Sequence, residues 1–307
     1  MTCLRQAAKD YLTLRRSLGY KLIRTEKLLE QFLNYLEAAH AETITVGDAL
    51  AWAELPSRSA AWSTLRLSAV RGFAKYVRTI DPSTQVPPAD ILPWKRCRAV
   101  PYLYSDDEIR ALTGAAAQCL RGAFRIATYQ TFIGLLAVTG MRVGEAIRLD
   151  RADIDLDGGV VIVRFTKFGK TRGLPLHPTT VAALGAYLSQ RDAQEPRLRT
   201  PAAFVSNAGT RLLYPQVHVT FHRLLRKAGL VPRSASCRPR VHDFRHSFAV
   251  NTLLDAYRNG WNVQERVGLL STYLGHVDPT RTYWYLSAAP ELLTLAAERL
   301  VPQWRQG

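Results

Sequence analysis

Two arginines and a histidine of this chain have the types and spacing to hold a phosphate. His242 and Arg245 are three positions apart, so on a helix both point from one face toward a common target. Arg142 stands at the start of a predicted helix, where a guanidinium and the field of the helix both attract an anion. The alternative for Arg142 is a structural ion pair with Glu145 or Asp150. The alternative for His242 and Arg245 is a surface helix whose imidazole caps a neighbouring group, since an H-x-x-R pair is common by chance. Taken together, the two guanidiniums and the imidazole favour a phosphate site.

A lysine in a predicted turn is a candidate proton donor. Lys167 lies between two extended segments, where a mobile ammonium could enter a groove and protonate a leaving oxygen. Lys170 and Arg172 lie in or beside the same turn and compete for this role. Composition alone does not separate the three, because a basic turn is also typical of a DNA-backbone contact or a solubilising surface.

The charge of the whole chain points to a polyanionic partner. Its 307 residues include 41 lysines and arginines against 25 aspartates and glutamates, which gives a formal net charge of +16. Positions 1–100 hold 15 basic and 9 acidic residues, which leaves 26 and 16 for the remainder, so both parts are positive. The excess is therefore not confined to a tail, and nucleic acid is a better candidate partner than a membrane surface.

Cysteine spacing and apolar runs narrow the class of protein. The four cysteines form no C-x-x-C pair, which disfavours a zinc site or a disulfide framework and fits a reducing cytoplasm. No apolar run is long enough to span a membrane, and the first residues lack the apolar core of a signal peptide. The chain has no H-E-x-x-H motif, which disfavours a metal-dependent nuclease. We expect a cytoplasmic protein that associates with the nucleoid when DNA-bound.

The first third of the chain predicts a helical domain and a linker. Residues 1–80 have apolar side chains at helical spacing and N-terminal cap residues at Thr45 and Ser59, which together predict four short helices. Residues 81–101 contain repeated prolines, which end helices and remove backbone donors, and they predict an interdomain linker.

The remainder, residues 102–307, predicts a second, larger domain. It opens with a capping box at Ser105 and continues with a buried helix over 124–138 that ends at Gly140. Over 154–176 the apolar period changes from helical to extended around two turns, which predicts a small antiparallel sheet. Helical patterns return after it and continue nearly to the end of the chain.

Five sequence boxes occur in the order and spacing of one known family. They are residues 139–145 (Thr-Gly-Met-Arg-Val-Gly-Glu), the basic turn with Lys167, residues 242–249 (His-Asp-Phe-Arg-His-Ser-Phe-Ala), the Leu-Gly-His box ending at His276, and Tyr285 nine residues later. By these boxes the chain resembles the tyrosine recombinases, also called the phage-integrase family. The resemblance covers roughly residues 102–290. It implies a mainly α fold of two domains, a four-helix core-binding domain and a helical catalytic domain with a small three-stranded antiparallel sheet.

The resemblance implies a role for each candidate residue. The side chains that surround the scissile phosphate would be Arg142, His242, Arg245 and His276. Lys167 would be the general acid and Tyr285 the nucleophile, so that the DNA is held through a 3′-phosphotyrosine. Chemistry of this kind requires neither a metal nor a nucleotide cofactor.

Two neighbouring residues need separate interpretations. Tyr283 competes with Tyr285 for the role of nucleophile, but residues two apart on a helix point in different directions, so only one can face His276. Family spacing favours Tyr285 and leaves Tyr283 as a packing residue. His246, next to Arg245, is expected to point elsewhere on the same helix and to be structural.

The activity implied by the resemblance is site-specific recombination or integration of DNA. The implied partners are double-stranded DNA with inverted half-sites, further copies of the chain in a tetramer on two sites, and accessory DNA-bending or partner recombinase proteins. The amphipathic tail over 290–304 has packing on its own domain as its default reading and a link between protomers as its implied role. The alternatives are a type IB topoisomerase and a noncatalytic DNA-binding regulator on the same scaffold.

Overall fold

The chain divides into two units, Met1–Arg98 and Ala99–Gly307. The computed structural model describes residues 2–55, 59–92, 99–164, 171–194, 197–276, 282–285 and 290–304. Among the helices described, none combines the length and hydrophobicity that crossing a membrane requires.

Four helices form the first unit, as the apolar spacing predicts. They are α1 (Thr2–Ser17), α2 (Ile23–Ala38), α3 (Val46–Glu54) and α4 (Ala60–Val77). Both predicted caps are confirmed: the hydroxyl of Thr45 accepts the backbone N–H of Asp48 at 3.0 Å, and that of Ser59 accepts the N–H of Trp62 at 3.3 Å. The apolar faces of the four helices meet in one buried core.

The segment that follows α4 is bonded to the first unit. The backbone N–H of Gln85 donates to the carbonyl of Ile44 at 2.8 Å, and its side-chain oxygen accepts the N–H of Val46 at 2.9 Å. Arg71 of α4 donates to the carbonyl of Pro87 at 2.8 Å. The proline-rich stretch therefore has defined contacts as far as its described residues extend.

The second unit is helical with one small sheet. Its described helices are α5 (Asp106–Cys119), α6 (Ala123–Thr139), α7 (Val143–Arg148), α8 (Pro178–Asp192), α9 (Tyr214–Lys227), α10 (Asp243–Arg258), α11 (Val263–Leu274) and α12 (Pro290–Trp304). Residues 282–285 are also helical. The capping box at the start of α5 is confirmed, with Ser105 and Glu108 each accepting the other's backbone N–H.

The sheet has three antiparallel strands, as predicted. They are β1 (Ile154–Asp155), β2 (Val160–Val163) and β3 (Arg172–Pro175), in the order β1-β2-β3. Val161 and Val163 of β2 and Leu174 of β3 are buried in the main core of the unit. Val163 pairs with Arg172, so these two residues close the β2–β3 connection. Lys167 and Lys170 lie in that connection, outside the described residues.

Helix ends bring the described boxes of the sequence to one place. Helix α6 ends at Gly140, whose φ of +58° is the left-handed conformation that closes a helix. A side chain there would also collide with Phe248 of α10, since a Cβ atom would lie 2.5 Å from its ring. Helices α10, α11 and α12 share a separate buried cluster that includes Tyr285 and Leu292. The tail helix α12 thus packs on its own domain.

Candidate active site

Arg142 is the residue just before α7, and Glu145 in the first turn of that helix holds it. The backbone N–H of Arg142 donates to Oε2 of Glu145 at 2.9 Å, and its Nη1 donates to Oε1 at 2.8 Å. The Arg142 side chain is 34% exposed, whereas the Glu145 side chain is 2% exposed. The ion pair between Arg142 and Glu145, which the sequence allowed as an alternative, is therefore present. The Arg142 guanidinium lies at the surface, and the Glu145 carboxylate is buried beneath it.

A second arginine shares this carboxylate. Arg172, the first residue of β3, donates to Oε2 of Glu145 at 2.8 Å and to Oε1 at 3.3 Å. Burial alone would raise the pKa of Glu145, but the hydrogen bonds and charges of Arg172 and Arg142 outweigh it and lower the pKa to about 2. Glu145 is therefore ionised at neutral pH. Arg172 is committed to it, which disfavours Arg172 as the alternative to Lys167.

Arg245 lies in the first turn of α10 and is fully enclosed, with 2% exposure. Its Nη1 donates to the carbonyl of Gly140 at 3.0 Å and its Nη2 to the carbonyl of Leu274 at 2.7 Å. Both carbonyls lie at helix C-termini, where unpaired C=O groups carry partial negative charge. Burial and the charge of Arg142 lower the pKa of Arg245 to about 10, so it stays protonated at neutral pH.

His242 stands at the N-cap of α10, where the residue as a whole is exposed. Desolvation by the surrounding protein, followed by the charges of Arg245 and Arg142, lowers the pKa of His242 to about 4. The cationic neighbours act in the same direction as desolvation, since each disfavours the charged imidazolium. His242 is therefore a neutral imidazole at neutral pH.

His246 is part of the same cluster, so the expectation that it points elsewhere is wrong. Its ring centroid lies 5.0 Å from that of His242 and 5.5 Å from that of Tyr285. Trp284 packs against its other side at 5.3 Å. Because residues 242 and 246 are four apart on one helix, they share a face. This spacing was the signal in the sequence that could have placed His246 here.

His276 and Tyr285 face each other. Helix α11 ends at Gly275, and the backbone N–H of His276 donates back to the carbonyl of Ser271 at 2.9 Å, which fixes the turn. The His276 and Tyr285 rings are stacked, with centroids 6.2 Å apart. His276 Nδ1 lies 2.7 Å from Oγ1 of Thr282.

The two competing tyrosines differ sharply in environment. Tyr285 is 3% exposed and Tyr283 is 50% exposed. The interpretation of Tyr283 as a buried packing residue is therefore wrong, and Tyr285 is the residue that faces His276.

The structure thus brings together five of the six side chains in question. Arg142, His242 and Arg245 lie close enough to interact electrostatically, Tyr285 is within reach of Arg245, and the ring of His276 stacks on that of Tyr285. Within the described part of the chain, no three histidine, cysteine or acidic side chains converge as metal ligands. Chemically, the cluster can stabilise an anion beside a phenol.

Residues 104–291 match the profile of the phage integrase family, more than half of the 307 residues. The chain belongs to this family. It is a tyrosine recombinase, an enzyme of the class that cleaves and rejoins DNA strands.

Relatives of this recombinase match it along its whole length. It is 43% identical to a Sinorhizobium fredii protein named integrase/recombinase y4rB over 99% of both chains. It is 30% identical to tyrosine recombinase XerD of Caulobacter vibrioides over 100% of this chain and 95% of that one. The same fold occurs in a crystal structure of the XerH site-specific recombinase bound to palindromic difH substrate, in its post-cleavage complex. The TM-score is 0.66 at 19% sequence identity, and the match covers 96% of this chain and 84% of that chain.

Proposed function

We propose that this recombinase cuts and rejoins specific double-stranded DNA through a covalent link between Tyr285 and a 3′ phosphate. The observation that carries the proposal is the position of Tyr285, buried against His276 and close enough to Arg245 for a phenolate there to interact with that guanidinium. A phenol in such a place is shielded from water and surrounded by groups that stabilise an anion. The choice of Tyr285 over Tyr283 follows from this contrast in environment.

The cations act on the phosphate. As the phenol oxygen attacks, negative charge grows on the nonbridging oxygens, so donors already in place stabilise the transition state more than the ground state. A guanidinium has five N–H donors, and the two described bonds of Arg245 to Gly140 and Leu274 use two of them. We assign the phosphate contacts to Arg245, Arg142 and His276.

The protons move between three groups. A tyrosine phenol holds its proton at neutral pH, so attack requires an acceptor, and the neutral imidazole of His242 is suited to this role. The bond from phosphorus to the Tyr285 oxygen forms as the bond to the 5′ oxygen breaks, and Lys167 gives a proton to that oxygen. Attack by a 5′ hydroxyl reverses the step and releases Tyr285. Because the bond energy is conserved in the phosphotyrosine, no nucleotide cofactor is needed, and the guanidiniums of Arg142 and Arg245 supply the positive charge that a metal ion would otherwise provide.

The substrate is DNA with inverted half-sites, bound by several copies of the chain. The palindromic substrate of XerH supports this choice. Helix α12 packs on α10 through Leu292 and through Arg258, which donates to Glu291 at 2.5 Å. We propose that its exposed side, with Leu293, contacts a second protomer in a tetramer. Removal of residues 290–307 would then weaken the DNA-bound assembly, and an unchanged assembly would contradict this role.

The test is covalent trapping in a chelator. Duplexes selected from a random pool for binding to the chain give its recognition sequence. A nested set of nicks in that sequence lets the short downstream fragment, which ends in the new 5′ hydroxyl, diffuse away after cleavage. We expect a protein–DNA adduct with the wild type and with Tyr283→Phe, and none with Tyr285→Phe. An adduct that persists in Tyr285→Phe would refute the assigned nucleophile.

Relaxation of supercoils without strand exchange is the alternative reaction. Two selected sites on one plasmid distinguish the two activities. We expect deletion or inversion of the intervening DNA. Relaxation of any plasmid, with no joining of sites, would identify a topoisomerase instead.

A further inference from the structure

Arg172 contacts two parts of the candidate site at once. One edge of its guanidinium forms the two hydrogen bonds to Glu145, which in turn holds Arg142. The other face lies against Gly275, because a Cβ atom on that glycine would be 3.0 Å from Nη1 and 3.3 Å from Cζ of Arg172. Gly275 is the residue before His276. The Arg172 side chain is only 13% exposed, so these contacts are enclosed.

The charge balance gives Arg172 a further effect. Glu145 carries one negative charge between two arginines, so the group of three has a net charge of +1. Without Arg172 the carboxylate would neutralise Arg142 alone, and the guanidinium would be drawn to it rather than to an incoming phosphate. Sharing the carboxylate therefore leaves Arg142 its attraction for an anion.

We propose that Arg172 is a positioning residue for the cleavage reaction, which orients Arg142 through Glu145 and supports the turn that presents His276. This inference rests on the proposed function. It assigns to Arg172 no contact with the reacting atoms. The planar fork of an arginine suits the role, because it binds both carboxylate oxygens and still presents a flat face to Gly275.

Arg164 provides a matched control. It lies at the other end of the β2–β3 connection and also pairs with a buried carboxylate, that of Asp153. Its side chain is half-exposed, and its described ion pair involves neither Glu145 nor Gly275. Arg172→Gln and Arg164→Gln therefore remove the same charge from the two ends of one connection.

The experiment measures the single-turnover cleavage rate on the nicked duplex, together with the Kd for intact duplex and the thermal midpoint. We expect Arg172→Gln to slow cleavage about a hundredfold, the order expected when a catalytic group is displaced by about 1 Å. Arg164→Gln should change the rate by less than about threefold. Arg172→Lys restores the charge without the fork, so its rate should fall between those of Arg172→Gln and the wild type. Equal cleavage rates for Arg172→Gln and Arg164→Gln would overturn the proposal. A loss of cleavage rate in Arg172→Gln that is fully explained by a higher Kd for DNA would also overturn it.

A modified substrate separates positioning of Arg142 from positioning of Lys167. When sulfur replaces the bridging 5′ oxygen, the leaving thiolate needs no proton, so a defect in the general acid disappears. We expect the Arg172→Gln defect to persist on this substrate. Recovery to the wild-type rate would mean that Arg172 positions Lys167 rather than Arg142, and it would overturn the proposal. Should Arg172→Gln fail to fold, Arg172→Lys carries the same test. An absent wild-type adduct would refute the proposed function, whereas a wild-type adduct with unaffected Arg172 variants refutes this inference alone.

Discussion

Replacing Glu145 with glutamine removes the one negative charge that two arginines share inside the recombinase. Lowering the pKa of Glu145 from 4.5 to about 2 corresponds to about 3 kcal/mol of stability at neutral pH. Its side chain is almost fully enclosed, so solvent screens this figure little. The variant also leaves Arg142 and Arg172 facing each other without a counter-charge. We expect Glu145→Gln to be destabilised by about 3 kcal/mol at about pH 7.

The sign of the pH dependence follows from the lowered pKa. The stabilisation by Glu145 is fully present above its unfolded pKa of 4.5 and is lost as the pH falls toward about 2, where the folded carboxylate takes up its proton. Urea titrations of the full chain at about pH 7 and about pH 3 measure the free energy of unfolding in each condition. The difference between the wild type and Glu145→Gln should shrink at the lower pH.

Glu291→Gln is the matched control, because Glu291 pairs with Arg258 at the surface with more than half of each side chain exposed. Such a pair contributes less than about 1 kcal/mol. A Glu145→Gln effect that is as small as that of Glu291→Gln, or that is the same at both pH values, would refute the assignment of a buried and ionised carboxylate.

Three further predictions concern the reaction, the fold and DNA binding. At subsaturating DNA the cleavage rate should stay level from about pH 8 to about pH 5 and fall near pH 4, where His242 protonates, whereas loss near pH 6.5 would show an unshifted imidazole. Gly140 has a φ of +58°, and a Cβ atom there would collide with Phe248, whereas Gly229 has a φ of +70° and open space around it. Gly140→Ala should therefore lower the free energy of unfolding clearly more than Gly229→Ala. Equal losses by urea titration would contradict the close packing at Gly140. If each protomer makes about 6 to 10 phosphate contacts, DNA affinity should fall about 10³- to 10⁵-fold between 50 and 200 mM salt, and a flat response would contradict this footprint.

Local signals in the sequence predicted much of the fold. The capping residues Thr45, Ser59 and Ser105 and the terminating Gly140 all act as their spacing indicates, because caps depend on residues within one helical turn. The change of period over 154–176 likewise predicted the sheet. The pair of Arg142 and Glu145 was also visible, since it lies within a single turn of α7.

Contacts between distant segments could not be read in the same way. Arg172 and Glu145 are 27 positions apart and meet only because β3 and α7 pack together, so composition left Arg172 as one of three basic residues in a turn. Tyr283 was misjudged for a related reason. Two tyrosines separated by one residue have the same local pattern, and only the packing of residues 282–285 against α10 decides which one is buried.

The candidate site carries more positive than negative charge, and its arginines repel one another. Arg142 and Arg172 pair with Glu145, while Arg245 is bonded to two helix C-termini. Burial together with the charge of Arg142 lowers the pKa of Arg245. In the proposed reaction, a phosphate that binds these cations supplies negative charge, and its attraction grows as charge develops on the oxygens during attack. The excess of positive charge would therefore favour the transition state. Binding of the selected duplex should accordingly raise the thermal midpoint of Tyr285→Phe, which keeps the cations and lacks the proposed nucleophile, more than that of Arg142→Gln.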